Sequence, residues 1–536
     1  MEDSIFWADN IAEEIINRKT YTYSKKSYTL PKKPAVKTSS SLSGVLHIGR
    51  LTDIIRGEAV YNALKDAGIG ARFIYVAEDM DPLRSIPKGV PESYKQYIGM
   101  PVTDIQDPWG CHKTYAEHHI SDFFDVLSEY VREEPERFSM RAEYKKGSFK
   151  EMVKAVMENA EKVREIIEGF KENPLAKNWS PWQPVCGNCG KIITPQIIGI
   201  EDGKVRYVCK DYDFKKYKAI GCNHEGLADP LKDDGKMVWK SEWASQWKRW
   251  DVVSEGAGKE YIVPNSAFFV NARIVEDVLD YPAPTPIFYE HITIGGGTKM
   301  SASVGNVVYP KDWREVAPVE ALRLLFLKRI GKSRDFKWED VPRLVDELDR
   351  LEAVYYGLEK IADPKEEKHL KRLYEIVQTK PIPKKYEPRI PYSLAAMVSQ
   401  LVRLDDKERL VSVLRRLGYE MAERSEELLY LAEKWGNKYS QQFTLIEKLT
   451  PDILKTLDKK QRAALENLAD VVDKNYSEPD LNKKIFEIAE KHDLKPPKLF
   501  QAIYQVFLNE KKGPRAAPFL LSMEKDFVKK RLKFRG

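Results

Sequence analysis

Two hydrophobic rhythms divide the chain. Up to about residue 340, short apolar runs alternate with stretches of helical spacing, the mark of an α/β domain. Ala71 to Val76 reads as a buried strand, and Pro286 to Ile294 as another. Beyond residue 340 the strand runs stop. Val341, Leu344, Val345, Leu348, Leu351, Val354, Tyr355 and Leu358 recur every three or four positions, as on one face of a helix. Pro381, Pro383, Pro388 and Pro391 interrupt that rhythm and read as a linker or crossover, after which helical spacing resumes. The pattern predicts an N-terminal α/β domain of catalytic type and a C-terminal all-α domain.

Within the first domain, Ala35 and Val36 open a strand that runs into small residues and then a helix. Leu51, Ile54, Ile55, Ala59 and Ala63 mark that helix's apolar face. A strand, a small-residue turn and a helix start form an anion site, because free backbone N–H groups and the helix dipole point at the ligand. Gly49 lets a planar ring approach the backbone. His47 at the turn can donate to a phosphate oxygen as charge develops. A lone histidine near a helix start also serves as a cap or packing residue.

A second signal lies 252 residues further on. Gly295, Gly296 and Gly297 follow a strand and precede Thr298, Lys299, Met300, Ser301, Ala302 and Ser303. The glycines form a hinge, and Lys299 and the serines bring a cation and hydroxyl donors to a polyphosphate. The bland alternative is a surface turn.

The cysteines add a third feature. Cys186 and Cys189 form a C-x-x-C knuckle, Cys209 follows after 19 residues, and Cys222 after 12 more with His224 beside it. Two ligand-rich turns joined by a short hairpin have the layout of a structural zinc ribbon, closed by four Cys or by three Cys and His224. Cys111 and His112 stand apart from this group and read as structural residues. Such clustering fits a reducing compartment, and hence a cytoplasmic protein.

Composition adds exclusions. The 536 residues are 42% apolar and 32% charged, an ordinary globular balance with room for three or four domains. No run of 18 apolar residues predicts a membrane span, and Met1 to Asn10 carries acids where a secretory leader would be basic and apolar. The net charge of +6 permits a polyanionic partner. Lys511 to Gly536 holds nine basic residues and two acids, with Phe519, Phe527 and Phe534 interleaved. Basic residues among aromatics suit phosphate contacts and base stacking, or equally a solvated terminal helix.

Taken together, the HIGR turn and the KMSAS loop resemble the paired signature of class I aminoacyl-tRNA synthetases. The chain is similar over nearly its whole length to the class I lysyl-tRNA synthetases of archaea and some bacteria. The longer matching blocks are Phe6-Trp7-Ala8-Asp9, Asp107 to His112 with Tyr115 to His118, Ala257-Gly258-Lys259, Gly513-Pro514-Arg515 and Phe527 to Leu532. The resemblance implies a Rossmann core in two halves, 1–95 and 236–340. It implies a connective insertion at 96–235 with a zinc ribbon at 180–230, and a helical anticodon-binding cage at 341–536.

The same resemblance implies activation of L-lysine by ATP, supplied with Mg²⁺, and transfer of the lysyl group to the terminal adenosine of tRNA(Lys). His47 and Lys299 are the implied catalytic residues, and Gly49 and Ser301 join them at ATP. Arg50 stands where the motif ends in His, Ala302 where it has a second Lys, and Val304 where a further Lys often follows. Lysine itself needs an acid for its ammonium and an aromatic wall for its stem. Ser39, Ser41, Asp79, Trp243 and Tyr289 are the expected contacts, with Glu78 and Asp81 beside Asp79, and Tyr261 where some members have His. Acids and aromatics in this pocket argue against a glutamate enzyme, which would show arginines. A non-charging paralogue that binds RNA or nucleotide is the competing reading, supported by Arg50 and the altered loop.

Overall fold

Five parallel strands form the centre of the N-terminal part. They are β1 (Ala35–Ser41), β2 (Arg72–Glu78), β3 (Glu136–Ser139), β4 (Val252–Gly258) and β5 (Thr285–Tyr289), in the spatial order β5-β4-β1-β2-β3. Every neighbouring pair is parallel, and Ser41 lies opposite Glu78 at the carboxyl end of the sheet. The strand order reverses direction about β1, and the crevice at such a switch point is where open α/β sheets bind ligands.

This computed structural model describes residues 6–42, 47–87, 89–261, 263–300, 307–440, 443–472 and 474–535, with the Lys299 side chain left aside. The chain divides into two units. The first is Met1–Lys311, Leu322–Phe336 and Ile361–Ile382, and the second is Asp312–Ala321, Lys337–Lys360 and Pro383–Gly536.

Four helices matter for the site in the first unit. They are α1 (Trp7–Asn17), α2 (Ile48–Asp66), α3 (Trp239–Arg249) and α4 (Ala267–Asp277). In α2 the predicted apolar face is buried throughout, and so are Arg56, Glu58 and Asn62, so the helix is enclosed on more sides than its apolar stripe indicates. Glu58 and the buried Arg323 pair their charges there. Trp243 and Trp247 on α3 pack with Phe268 of α4 into the core that backs the sheet.

Two sequence expectations change here. The run from Pro286 to Ile294 is not one strand. It breaks at Glu290 and His291, and Ile292–Ile294 leaves the parallel sheet to pair with Arg334–Phe336. The Glu290 N–H donates to the Ile330 carbonyl at 2.9 Å, which ties off the break. The expected insertion at 96–235 also contains β3, an edge strand of the core sheet, because the polar Glu136–Ser139 stretch needs only one partner, β2. The remainder of that span holds helices from Tyr115–Tyr130 to Ala160–Glu168 and an antiparallel sheet of Pro195–Glu201, Lys204–Cys209 and Glu225–Ala228.

The second unit is helical. Val341–Tyr355 forms as its periodicity predicts, and the proline-rich stretch runs without helix up to Tyr392–Leu401. Several of the helices that follow start on a capping side chain. Asp458 forms a capping box with Gln461, and Ser477 caps Glu478–Lys491. The basic C-terminal stretch folds as two short helices, Ala516–Leu521 and Lys525–Leu532. Phe519 is fully buried, and Arg531 is buried with its guanidinium on the Val506, Ile446 and Glu447 carbonyls. Those two are core residues and are not available to a nucleic acid.

Candidate active site

His47 caps α2. Its Nδ1 accepts the Gly49 N–H at 3.1 Å, so in the neutral ring Nε2 carries the proton and is the donor. Gly49 is required for this: a Cβ there would sit 2.7 Å from His47 Cε1. The expectation of free N–H groups at this helix start does not hold. The Ile48 N–H donates to the Val308 carbonyl at 2.9 Å, and those of Arg50 and Leu51 to the His47 carbonyl. The positive end of the helix dipole remains.

The Ile48 to Val308 bond also joins the two distant motifs. The loop between them starts from a hairpin in which Thr298–Lys299 pairs with Thr293 and Ile294. Gly295, Gly296 and Gly297 all adopt positive φ, the left-handed backbone that only glycine enters freely. Asp335 accepts the Gly296 and Gly297 N–H groups at 2.9 Å each and anchors the turn. The Lys299 backbone thus follows a fixed base, while its side chain and Ser301 lie outside the described residues.

The carboxyl ends of β1, β2, β4 and β5 gather the remaining residues. Tyr289 at the end of β5 donates its hydroxyl to Asp53 Oδ1 at 3.0 Å, and the Arg56 guanidinium lies 4.4 Å from the Tyr289 ring centre. Gly256 makes room for this pair, since a Cβ there would fall 2.1 Å from Asp53 Oδ1. Burial and the nearby Glu255 charge push the Asp53 carboxyl up to about 6, against the Tyr289 hydroxyl, Lys37 and the Ser39 N–H.

Trp243 is buried, and its indole N–H donates to Glu255 Oε2 at 2.8 Å, as the Trp247 N–H does at 2.5 Å. Lys37 closes on the other oxygen of Glu255 at 2.5 Å, with both side chains buried. Trp243 is held in orientation by this cluster. It stacks on the half-exposed Trp239 and meets Tyr261 edge-on, which forms an aromatic wall.

The acids sort themselves by their partners. Lys236 bridges Glu242 at 2.8 Å and Asp81 at 3.3 Å, and Asp81 also accepts the Ser41 hydroxyl at 3.1 Å. Asp79 does not join them. It is buried, and its Oδ1 accepts the Arg141 N–H at 2.8 Å, at the start of the helix Met140–Lys145. Glu78 receives only the Gln246 amide. Among the described residues Glu78, Asp53 and Asp79 have no cation at ion-pair distance, and Asp79 is taken up by the Arg141 N–H. Burial pushes the Glu78 carboxyl up to about 8, with Glu242 and Asp81 adding and Lys37 and Lys236 opposing. Perturbed acids in a crevice are a mark of a functional site.

Asp53 escaped the sequence reading. Its signal was available, since it stands four residues after Gly49 on a helix, one turn above the motif.

Two groups of metal-ligand type lie elsewhere in the unit. The sulfurs of Cys186, Cys189, Cys209 and Cys222 all lie within 4.8 Å of one another, with Cys186 to Cys222 at 3.6 Å and Cys189 to Cys209 at 3.7 Å. A tetrahedral ZnS₄ centre has sulfur separations of about 3.8 Å, so the four thiols fit one ion. His224 is not one of the converging ligands. Its carbonyl accepts the Cys209 N–H instead. The second group brings Asp107, Cys111, His112 and His118 within the same limit. Cys111 and His112 therefore do have partners, which the D-x₃-C-H-x₅-H spacing could have revealed. Asp107 accepts the N–H groups of Trp109, Cys111 and His112, and this turn draws Cys111 and His112 toward its carboxylate.

A family model described as tRNA synthetases class I (K) matches residues 5–380, and one described as an anticodon binding domain matches 393–535. A lysine--tRNA ligase of Methanocaldococcus jannaschii is 32% identical, over 98% of this chain and 99% of that one. One from Methanosphaera stadtmanae is 30% identical, again over 98% and 99%. Among solved structures, a glutamate tRNA ligase from Elizabethkingia meningosepticum overlaps 93% of this chain and 98% of its own at 12% identity, with a TM-score of 0.40. No described helix is long and apolar enough to cross a membrane.

Proposed function

Starting from a chain that belongs to the class I (K) tRNA synthetases, we propose that it is a lysine--tRNA ligase with a Rossmann core. A lysine carboxylate oxygen attacks the α-phosphorus of ATP, the bond to the β-phosphate oxygen breaks, and lysyl-adenylate and pyrophosphate form. The 2′-hydroxyl of the terminal tRNA adenosine then attacks the lysyl carbonyl, and AMP leaves. Neither step needs a covalent enzyme nucleophile, so positioning and charge carry the rate.

The observation that carries this reading is the Ile48 to Val308 bond, which brings the end of the Lys299 loop to the helix start capped by His47. His47 Nε2–H donates to the phosphates, Gly49 keeps the ring in that pose, and Lys299 and Ser301 close over the pyrophosphate side. ATP enters as its Mg²⁺ complex, whose charge lowers the repulsion met by the attacking carboxylate.

Lysine carries two ammonium groups, and the pocket has two acids without a protein cation. The carboxylate must reach the α-phosphate near His47, so the α-ammonium beside it meets Asp53, on the same helix and held by Tyr289. The ε-ammonium reaches Glu78, with the stem along Trp243 and the serines Ser39 and Ser41 flooring the site. Asp79 leaves the set of lysine contacts, because its carboxylate is committed to the Arg141 N–H. The four cysteines hold a structural zinc ion that ties the knuckle to the hairpin.

Amino-acid-dependent ATP–pyrophosphate exchange across the twenty amino acids, with and without bulk tRNA, tests the proposal. Exchange with lysine alone supports it. Exchange with another amino acid keeps the fold and overturns the pocket. No exchange from folded protein turns the reading to a non-charging paralogue.

A further inference from the structure

Arg50 has no role in the site described above. It stands in the first turn of α2, and its N–H donates to the His47 carbonyl at 2.8 Å, so it sits directly over the capping histidine. A cation there faces the positive end of the helix dipole, which is unfavourable, and that turn holds no acid to offset it. The side chain is exposed, and among the described residues it makes neither an ion pair nor a hydrogen bond.

Other cations around the crevice are taken. Lys37 and Lys236 are held by buried acids, and Lys259 pairs with Glu290. Arg56 is buried against the Tyr289 ring, with its Nε on the Phe326 carbonyl. Arg50 nevertheless acts on the crevice. Burial raises the hydroxyls of Tyr75 on β2, Tyr261 just after β4 and Tyr289 at the end of β5, and the Arg50 charge opposes it at all three. The guanidinium is thus within electrostatic reach of strands on both sides of β1, where the crevice opens.

A ligand of concentrated negative charge answers these features together. The glycine-rich loop brings little charge of its own, since Lys299 is the one basic residue from Gly295 to Pro310. His47 adds a neutral donor. When the lysine carboxylate attacks the α-phosphorus, the bond to the β-phosphate oxygen breaks and its electron pair stays on that oxygen. We propose that Arg50 is a catalytic residue of lysine activation, whose guanidinium holds the β- and γ-phosphates beside His47 and takes up that leaving charge. Its planar fork of N–H donors suits phosphate oxygens, and it stays protonated throughout, so no proton moves to or from it. Arg50 and Ala302, two departures from the paired motifs, then form one exchange, in which charge missing from the loop stands on the helix. The proposal rests on the ligase reading above.

The test uses the full chain, with pyrophosphate exchange at saturating lysine and calorimetry of magnesium pyrophosphate binding. Arg50→Ala lowers kcat for exchange about 10²- to 10³-fold with little change in the lysine KM. It weakens pyrophosphate binding by about tenfold or more. Arg50→Lys, which keeps the charge, restores most of both. Ala302→Lys added to Arg50→Ala recovers about tenfold in kcat, because the loop then supplies the cation, and the two substitutions are non-additive. A melting temperature of Arg50→Ala at or above wild type separates these losses from unfolding, because the substitution removes a charge that the dipole opposes. Unchanged kcat, unchanged pyrophosphate binding, or no recovery from either replacement cation overturns the role of Arg50, while lysine-dependent exchange by wild type keeps the ligase. Pyrophosphate binding that depends on Arg50 in a wild type that exchanges with no lysine keeps the phosphate contact and overturns the ligase.

Discussion

The Gln246 side-chain amide donates to both carboxylate oxygens of Glu78, at 3.0 and 3.2 Å. This neutral clamp orients the carboxylate and leaves its charge unmatched. The neighbouring acids differ, since Glu255 holds Lys37, and Asp81 and Glu242 share Lys236. Glu78 is thus poised for a cation brought by the substrate. Glu78→Gln keeps the shape and removes the charge. The expected outcome is a lysine KM raised about 100-fold or more, the scale for losing one partner of a desolvated pair, with the ATP KM little changed. Pyrophosphate exchange at varied lysine checks it.

Lysine affinity should also depend on pH in a definite direction. Burial pushes the Glu78 carboxyl up to about 8 in the free protein, and only its ionised form attracts the ammonium. Below that pH, binding must first expel a proton. Affinity therefore improves as pH rises to about 8, by up to about tenfold per unit, and then levels. Calorimetry in buffers of different ionisation heat should show proton release on binding at pH 7, and Glu78→Gln should abolish it.

Asp79 should behave as a structural residue. Asp79→Asn weakens the acceptor at the start of Met140–Lys145 and costs about 1 kcal/mol of stability. Thermal melting reads that loss, and the lysine KM should stay within about threefold of wild type.

Gly49→Ala tests the histidine turn. The new methyl meets the His47 ring at 2.7 Å and displaces it. A drop in kcat for activation of about 10²- to 10³-fold is expected, the scale for a misplaced charge-stabilising donor, while the lysine KM changes little. A normal kcat would remove His47 from the phosphate site.

Cys222→Ser should abolish zinc at the knuckle, whereas His224→Ala should leave it. Metal analysis of the two variants and X-ray absorption, with four sulfurs at about 2.3 Å, read the difference directly.

The sequence carried the local chemistry far. His47 with Gly49, the three glycines before Lys299 and the four cysteines each declare a local need: a cap, a left-handed turn, a ligand knuckle. Such needs are met within a few residues, so spacing reveals them. The helical second unit was legible for the same reason, since period-3.6 burial is written along one segment. By contrast, the strand predicted from Pro286 to Ile294 failed because its apolar residues serve two different sheets. Apolarity alone does not say which partner a strand has.

What only the tertiary structure decided is which side chains face one another across strands. Glu78 and Asp79 are adjacent acids, but Glu78 ends β2 and Asp79 opens the turn that follows it. The register sets Glu78 beside Ser41 at the carboxyl end of the sheet, while Asp79 in the turn accepts the Arg141 N–H at a helix start. Asp53 and Tyr289 lie 236 residues apart, and so no spacing rule joins them. By itself the sequence determined the motifs proposed for phosphate and metal, because those are short loops with their own geometry. The acids proposed for the amino acid follow only from the tertiary structure, because that choice depends on non-local pairing and on which buried charges already have partners.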